Sequence, residues 1–436
     1  MDKWQPTADS PARNQATESL KFTMADVLAA PQQAKTDTGL RTLTLISTAH
    51  WVSHFHMLVL PMLLPFLKAQ LGVSYIDLGF ALTVFAVVSG LTQAPLGYVV
   101  DHLGARKILL LGLCLGGFAL ILLGLHLSYS WLIASATLLG IANSVYHPAN
   151  YAILSAHMED ARMGRAFAVH TFAGFLGGAV APAIVAALVT LVGGLGALIA
   201  AGAVGPMTAM LLVAFGVPDA GAKHRQASGG AQAEQQSVIT PTLIMLTVFF
   251  TLLGLSSAGI NNFGVVALMS GYGTSFSTAN LALTAYLGAA AIGVLAGGHL
   301  ADRTRRHGQL SAVCYAINAI IVIVIATVAL PTVMLIAALT AAGFLGGLIA
   351  PSRDMMVRNA APTHAAGRAF GIVSTGFNFS GIASPLLFGW IMDRSLPHWV
   401  FGASAIFMIL TVGIAFFTDR YSAEDDEETD LGLMQQ

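Results

Sequence analysis

The stretch "GYVVDHLGARK", Gly97 to Lys107, ends one apolar segment and begins another. It has a distant copy. "GHLADRTRRHG", Gly298 to Gly308, also follows an apolar segment, and Gly298 and Asp302 stand at one offset from Gly97 and Asp101. A second set of matches widens the copy. Gly140, Pro148, "GRAF" 164–167, Gly178 and Pro182 match Gly343, Pro351, "GRAF" 367–370, Gly381 and Pro385 at a constant spacing, without a gap. Chance does not hold that register across two apolar segments and their loop, so the chain reads as a duplicated unit.

Composition says what surrounds the unit. The chain has 436 residues, 56% hydrophobic and 9% charged. A soluble domain carries about 25% charged residues, and so few charges cannot cover a water-soluble surface of this size. A helix needs about 20 apolar residues to cross the hydrocarbon. Such runs fall near 42–66, 76–100, 107–127, 131–156, 165–190 and 193–216, then near 241–269, 277–300, 310–330, 333–356, 367–392 and 398–418. The expectation is an all-α polytopic membrane protein with twelve transmembrane helices in two pseudo-symmetric six-helix bundles. An N-terminal tail covers 1–40, the bundles 41–216 and 241–419, a polar linker 217–240, and an acidic tail 420–436. The tails lack apolar runs and read as cytosolic.

Lys and Arg set the orientation. With the N-terminus inside, the inner side holds the basic residues of the N-terminal tail, Arg106, Lys107, Arg162, Arg165, Arg303, Arg305, Arg306, Arg353, Arg358 and others, while only Lys68 and Arg394 fall outside. Both termini are therefore expected in the cytoplasm. The net charge of −1 gives no reason to expect nucleic acid. Cys114 and Cys314 each lie in an apolar run, which is neither a disulfide framework nor a metal cluster. With no P-loop lysine, nucleophile elbow or buried carboxylate pair, an enzyme is not expected, and no cofactor is implied.

Twelve spans, a repeated half and a Gly-x-x-x-Asp loop after spans 2 and 8 resemble the major facilitator superfamily of transporters. Gly97, Asp101, Gly104, Arg106 and Lys107 match its loop pattern; the second copy keeps Gly298, Asp302, Arg305 and Arg306 but lacks the middle glycine. "GIANSVYHPANYAILS" in span 4 and "GRAFAVHTFAGFLGGAVAP" in span 5 resemble its fosmidomycin-resistance-like branch. The resemblance implies alternating access, a cavity lined by spans 1, 4, 7 and 10 with span 5 at its flank, and a bacterial inner membrane. The loop also has a physical reading. A glycine admits a neighbouring helix, and Asp101 can cap a helix N-terminus and attract Arg106. Gly97, Asp101 and Arg106, with Gly298, Asp302 and Arg305, are thus candidate gating residues. They would latch the halves on the inner side when the protein opens outward.

No Asp or Glu falls at mid-span. A carrier of organic cations usually needs one to pair the charge. What remains to titrate is histidine. On span 1, Ser47, His50, His54, Met57 and Pro61 fall on one helical stripe, while His56 points elsewhere. Span 4 presents Asn143, His147 and Asn150 on one face, and span 5 presents His170 before Gly174, Gly177 and Gly178. The second half offers Asn261, Asn262, Asn378 and Arg353. These ten polar residues, His56 apart, are the candidate substrate site, with His54, His147 and His170 as candidate proton carriers. His50 and His54 lack Cys, Asp or Glu to complete a zinc site, so no metal is expected. "GFLGGAVAP", Gly174 to Pro182, partly resembles a glycine-proline motif of antiporters, with Ala181 where that motif has glycine.

The expected function is secondary transport of a small neutral or anionic organic solute, with protons and the lipid bilayer as its other partners. Proton-coupled efflux is the leading version. Uptake or facilitated diffusion of a small organic acid is the alternative. A non-transporting membrane sensor would lack the polar cavity or carry a soluble domain, and neither is visible in the sequence.

Overall fold

The computed structural model describes residues 24–220, 240–361 and 366–434. Among these there is no strand. Thirteen helices follow in order: α1 Met24–Met62, α2 Leu64–Leu71, α3 Tyr75–Leu103, α4 Ala105–Leu125, α5 Tyr129–His157, α6 Asp160–Ala214, α7 Pro241–Tyr272, α8 Phe276–Ala301, α9 His307–Thr327, α10 Thr332–Leu348, α11 Ala350–Ala360, α12 Ala366–Asp393 and α13 His398–Met434.

They make twelve crossings. Span 1 is α1 with α2, bent by 47° at Leu63. Pro61 and Pro65 bracket that residue, and each removes an N–H from the helical ladder. Spans 5 and 6 are the single helix α6, and its apolar stretch of 53 residues is far too long for one crossing. It turns at Gly193, whose φ of 73° and ψ of 173° are open to glycine but strained for other residues. Span 10 is α10 with α11, broken at Ile349 ahead of Pro351. Nine described helices, or ten with the bent first span, are long and apolar enough to cross a membrane. Span 4, α5, falls outside that set because Asn143, His147 and Asn150 dilute it.

The ends differ from expectation. Helix α1 reaches back to Met24 and α13 runs on to Met434, through stretches read as tails. Alanine, leucine, glutamine and glutamate there favour continued helix. Residues 1–23, the linker stretch 221–239 and residues 435–436 lie outside the described residues.

The duplication is visible in the packing. Span 1 lies on span 5, 2 on 4 and 3 on 6; in the second half 7 lies on 11, 8 on 10 and 9 on 12. Single contacts repeat too. A β-carbon at Gly140 would stand 2.7 Å from the Phe85 carbonyl oxygen. Its repeat partner Gly343 has the same relation to the Tyr286 carbonyl oxygen. Gly177 lies against the Trp51 carbonyl, and the equivalent pair is Ser380 against Gly254, with the glycine on the other helix.

The halves meet along spans 2 and 11 and along spans 5 and 8. One end of the molecule carries the basic loops; at the opposite, far end the halves are clasped. The Asp393 carboxylate, at the end of span 11, accepts hydrogen bonds from the Tyr75 and Ile76 N–H groups, both at 2.8 Å. These are first-turn donors of span 2, which have no partner within their own helix. Lys68 adds an ion pair at 3.6 Å to the same carboxylate. Below the clasp, Gly79 lies against the Pro385 carbonyl, and Thr83 donates to the Ile382 carbonyl at 3.0 Å. Close contacts between these two spans continue to Gly90 beside Asn378. Beyond that level Leu91 and Tyr98 are exposed. The far end is closed.

Asp393→Asn is expected to loosen the clasp by about 2 kcal/mol, roughly thirtyfold in the closed-to-open ratio. Spin labels at Ser130 and Ser277, exposed at the far end of opposite halves, would report a longer distance in the variant. An unchanged distance distribution would mean that the clasp does not hold this end shut.

Candidate functional site

The span 1 stripe faces spans 4 and 5, and there it meets the other histidines. His50 is the hub. Its ring centroid lies 4.0 Å from that of His170, stacked at 18°, 4.6 Å from His54 and 5.1 Å from His147. Helical spacing puts His54 one turn from His50 on the same face. Span 5 makes the room: a β-carbon at Gly174 would stand 2.5 Å from His50 Nε2 and 3.0 Å from His54 Cδ2. The Ser53 hydroxyl donates to the His50 carbonyl at 2.7 Å. His170 is fully buried, and neither of its ring nitrogens has a hydrogen-bond partner. The Asn150 amide is equally buried and equally unpartnered. Tyr151 covers the cluster, 5.8 Å from His147 and 5.7 Å from His170. His56 turns away, as expected, with its Nε2 3.1 Å from the Ala201 carbonyl oxygen of span 6.

Beside the cluster lies a cavity of about 270 Å³ between the halves. His54 is the one member of the cluster that lines it, together with Met57 and Phe175. The opposite wall carries Ser257, Asn261, Tyr286, Tyr315, Asn318 and Arg353. The Arg353 guanidinium sits 5.1 Å from the Phe250 ring and 5.3 Å from the Phe377 ring, an arrangement that holds a cation by its face. Its Nε–H donates to Asp354 at 2.8 Å. No Asp or Glu is among the lining residues. Asn261 Oδ1 and Asn318 Oδ1 are buried without a partner.

Of the ten expected substrate residues, His54, Asn261 and Arg353 line the cavity. His50, His147 and His170 form the wall behind His54. Asn143 is turned toward span 2 and donates to Ser89 Oγ at 2.9 Å, which makes it a helix-to-helix bond. Asn150 is wholly buried, Asn262 is half-buried outside the lining, and Asn378 is exposed beside Gly90. Tyr286, Tyr315 and Asn318 escaped the sequence reading. Tyr286 stands alone in its apolar run, whereas Ser311, Tyr315 and Asn318 share one face of span 9, a stripe that could have marked the last two. Among the described residues, no three of His, Cys, Asp or Glu are placed to hold a metal ion. Of the imidazoles, His50 and His170 stack, while His54 and His147 meet His50 edge-on.

The loop residues are not engaged in this conformation. Gly97 has Pro148 as its nearest neighbour, at an ordinary 3.9 Å from a β-carbon placed there, and Gly298 has open space around it. Among the described residues, neither Asp101 nor Asp302 forms an ion pair with Arg106 or Arg305. The expected cap of span 3 is supplied by another residue: Asp219, just past span 6, accepts the Arg106 N–H at 3.2 Å and the Ala220 N–H at 2.8 Å. Gly104 leaves space for that carboxylate, which would stand 2.5 Å from a β-carbon there. Asp219→Ala is expected to cost about 1 kcal/mol of stability, read as a lower melting temperature of the purified protein. An unshifted melt would show that the cap contributes nothing.

Comparison with known proteins adds the following. The family model of the Major Facilitator Superfamily matches residues 46–270 and 244–430. The fosmidomycin resistance protein of Escherichia coli (strain K12) is 25% identical over 288 residues, 65% of this chain and 70% of that one. The probable sulfoacetate transporter SauU of Cupriavidus necator is 26% identical over 373 residues, 78% of this chain and 85% of that one. Among solved structures, an inward-facing, occupied bacterial homolog of the human lysosomal transporter Spinster superposes with a TM-score of 0.72 at 14% identity, over 87% of this chain and 96% of that one. A point mutant of the nucleoside transporter NupG gives 0.69 at 15% identity, over 87% and 98%.

Proposed function

This chain belongs to the major facilitator superfamily, and from that membership we propose that it carries a small organic anion across the membrane, coupled to protons. That it is a multi-pass membrane transporter of this superfamily follows from the family match. The finer reading rests on one observation: the Arg353 guanidinium and the His54 imidazole face each other across a cavity without a carboxylate. An organic cation would find nothing there to pair with. An anion finds in the lining an arginine whose Nε is already taken by Asp354. Phe175, Phe377 and Met57 give its carbon body an apolar wall. The imidazoles supply the titratable groups.

The basic end is assigned to the cytoplasm by the excess of Lys and Arg there, so the closed far end faces outward and the conformation is inward-facing. The membrane assigned is a bacterial inner membrane, in keeping with the bacterial relatives. Export, the leading expectation from the sequence, draws support from the relative named for fosmidomycin resistance. Uptake of an organic acid is the second reading, and its solute class is supported by the relative named as a probable sulfoacetate transporter, which aligns over more of the chain.

Transport of radiolabelled sulfoacetate and fosmidomycin into proteoliposomes with an imposed pH gradient tests the proposal. A rate that rises with the gradient supports coupling. A rate indifferent to it removes protons from the mechanism.

A further inference from the structure

We infer that the histidine cluster and Arg353 take up a proton and an organic anion together, so that both are carried in the same direction. The inference rests on the proposed organic anion and deepens it by fixing the sign of the coupling.

Exchange of proton for solute requires that each exclude the other. Two arrangements achieve this: a solute cation competes with a proton for one carboxylate, or a proton repels a solute of its own sign. The cavity has neither. Its lining holds no carboxylate, and Asp354 beside it is occupied by Arg353. The groups facing His50 are His54 and the Ser53 hydroxyl on its own helix, His147 from span 4 and His170 from span 5, with Tyr151 against His147 and His170. Across the cavity from His54 stand Arg353 and the hydroxyls of Tyr286 and Tyr315. Every ionisable group that meets the cluster is either neutral or positive.

A proton on any of the four rings is therefore within one or two ring contacts of the cavity, because His50 touches the other three. The positive charge attracts an anion held by Arg353, and the anion attracts the proton. Such linkage is reciprocal: each raises the affinity for the other by the same factor. The stacked pair also limits the count. Two charges on rings 4.0 Å apart repel strongly in a membrane interior, so the cluster takes one proton at a time and titrates as a unit. His170, buried with both ring nitrogens unpartnered, has capacity to hold it. His54 transmits its presence to the cavity. An inward proton gradient then drives the anion inward, which selects the uptake reading.

The test is a proton count on binding. Purified full-length protein in weak buffer with a pH indicator is titrated with sulfoacetate, fosmidomycin and L-galactonate. The expected result is uptake of about one proton per bound anion. Affinity should tighten on the order of 5–150-fold as the pH is lowered. His50→Gln and His170→Gln, which do not touch the cavity, should each lower the proton uptake, and replacing all four rings with glutamine should abolish it. Proton release, or binding without proton movement at any pH, overturns the inference and leaves the anion reading standing. Full proton uptake with all four rings replaced overturns the cluster as its site. Where a variant fails to fold, the wild-type count still decides the sign. Binding of none of the three anions at any pH removes the anion reading and the inference together.

Discussion

Gly177→Val is expected to remove most of the folded transporter from the membrane. Replacing a helical glycine ordinarily favours the helix by up to ~1 kcal/mol. Here the first added carbon would overlap the Trp51 carbonyl oxygen, and a backbone atom cannot rotate away as a side chain can. Span 1 would have to lift off span 5, at a cost of about 3 kcal/mol or more against a total stability of roughly 5–15 kcal/mol. One turn away, Gly174 seats the His50 and His54 rings, so the displacement would also scatter the cluster. Gly288→Ala is the control, because nothing lies within 4 Å of a β-carbon there. Fluorescence-detected gel filtration and thermal melting distinguish the two. A Gly177→Val protein that elutes and melts like the parent would show that this helix contact is dispensable.

Arg353→Gln is expected to lower anion binding and transport by about thirtyfold or more, with little change in melting temperature. Losing one partner of a desolvated charge pair costs about 2–5 kcal/mol. The mutation leaves the fold less affected because the lost bond to Asp354 joins neighbouring residues of one helix, and Phe250 and Phe377 can pack on the glutamine stem. Arg353→Lys separates charge from shape. Lysine keeps the charge but loses the planar fork and much of the stacking between the two phenylalanines, so an intermediate loss is expected. Wild-type affinity in Arg353→Gln would place the solute elsewhere.

Much of this was legible in the sequence for a physical reason. Gly140, Gly343, Pro182 and Pro385 repeat in register because helix packing and bending recur in each half, and those demands fall on single residue types. The span 1 stripe announced which way His50 and His54 face, and set His56 apart, because a helix fixes direction within a few residues. Other features left no local mark. The Asp393 clasp joins residues more than 300 positions apart, and the Asp219 cap reaches back to Arg106 from the other end of the half. Nothing near an acidic residue in a sequence says which distant N–H it will accept from. Asn143 shared a face with His147 but found Ser89 on span 2, a partner that only the packing of two helices reveals. Tyr286 reaches the cavity through the way span 8 is placed, with no pattern in that segment to mark it, while Tyr315 and Asn318 follow Ser311 on one face of span 9.

The Asp219 carboxylate has a mechanical consequence. It fastens the chain leaving span 6 to the loop that holds the first Gly-x-x-x-Asp copy. Whatever length of chain the two halves have for moving apart is therefore counted from Ala220, not from the end of the helix. A tether fixed at that point shares its anchor with the loop itself. Pulling on the one strains the other, so any parting of the halves would also move this loop. Releasing the anchor would change how fast the molecule turns over between its two openings while leaving solute affinity as it was.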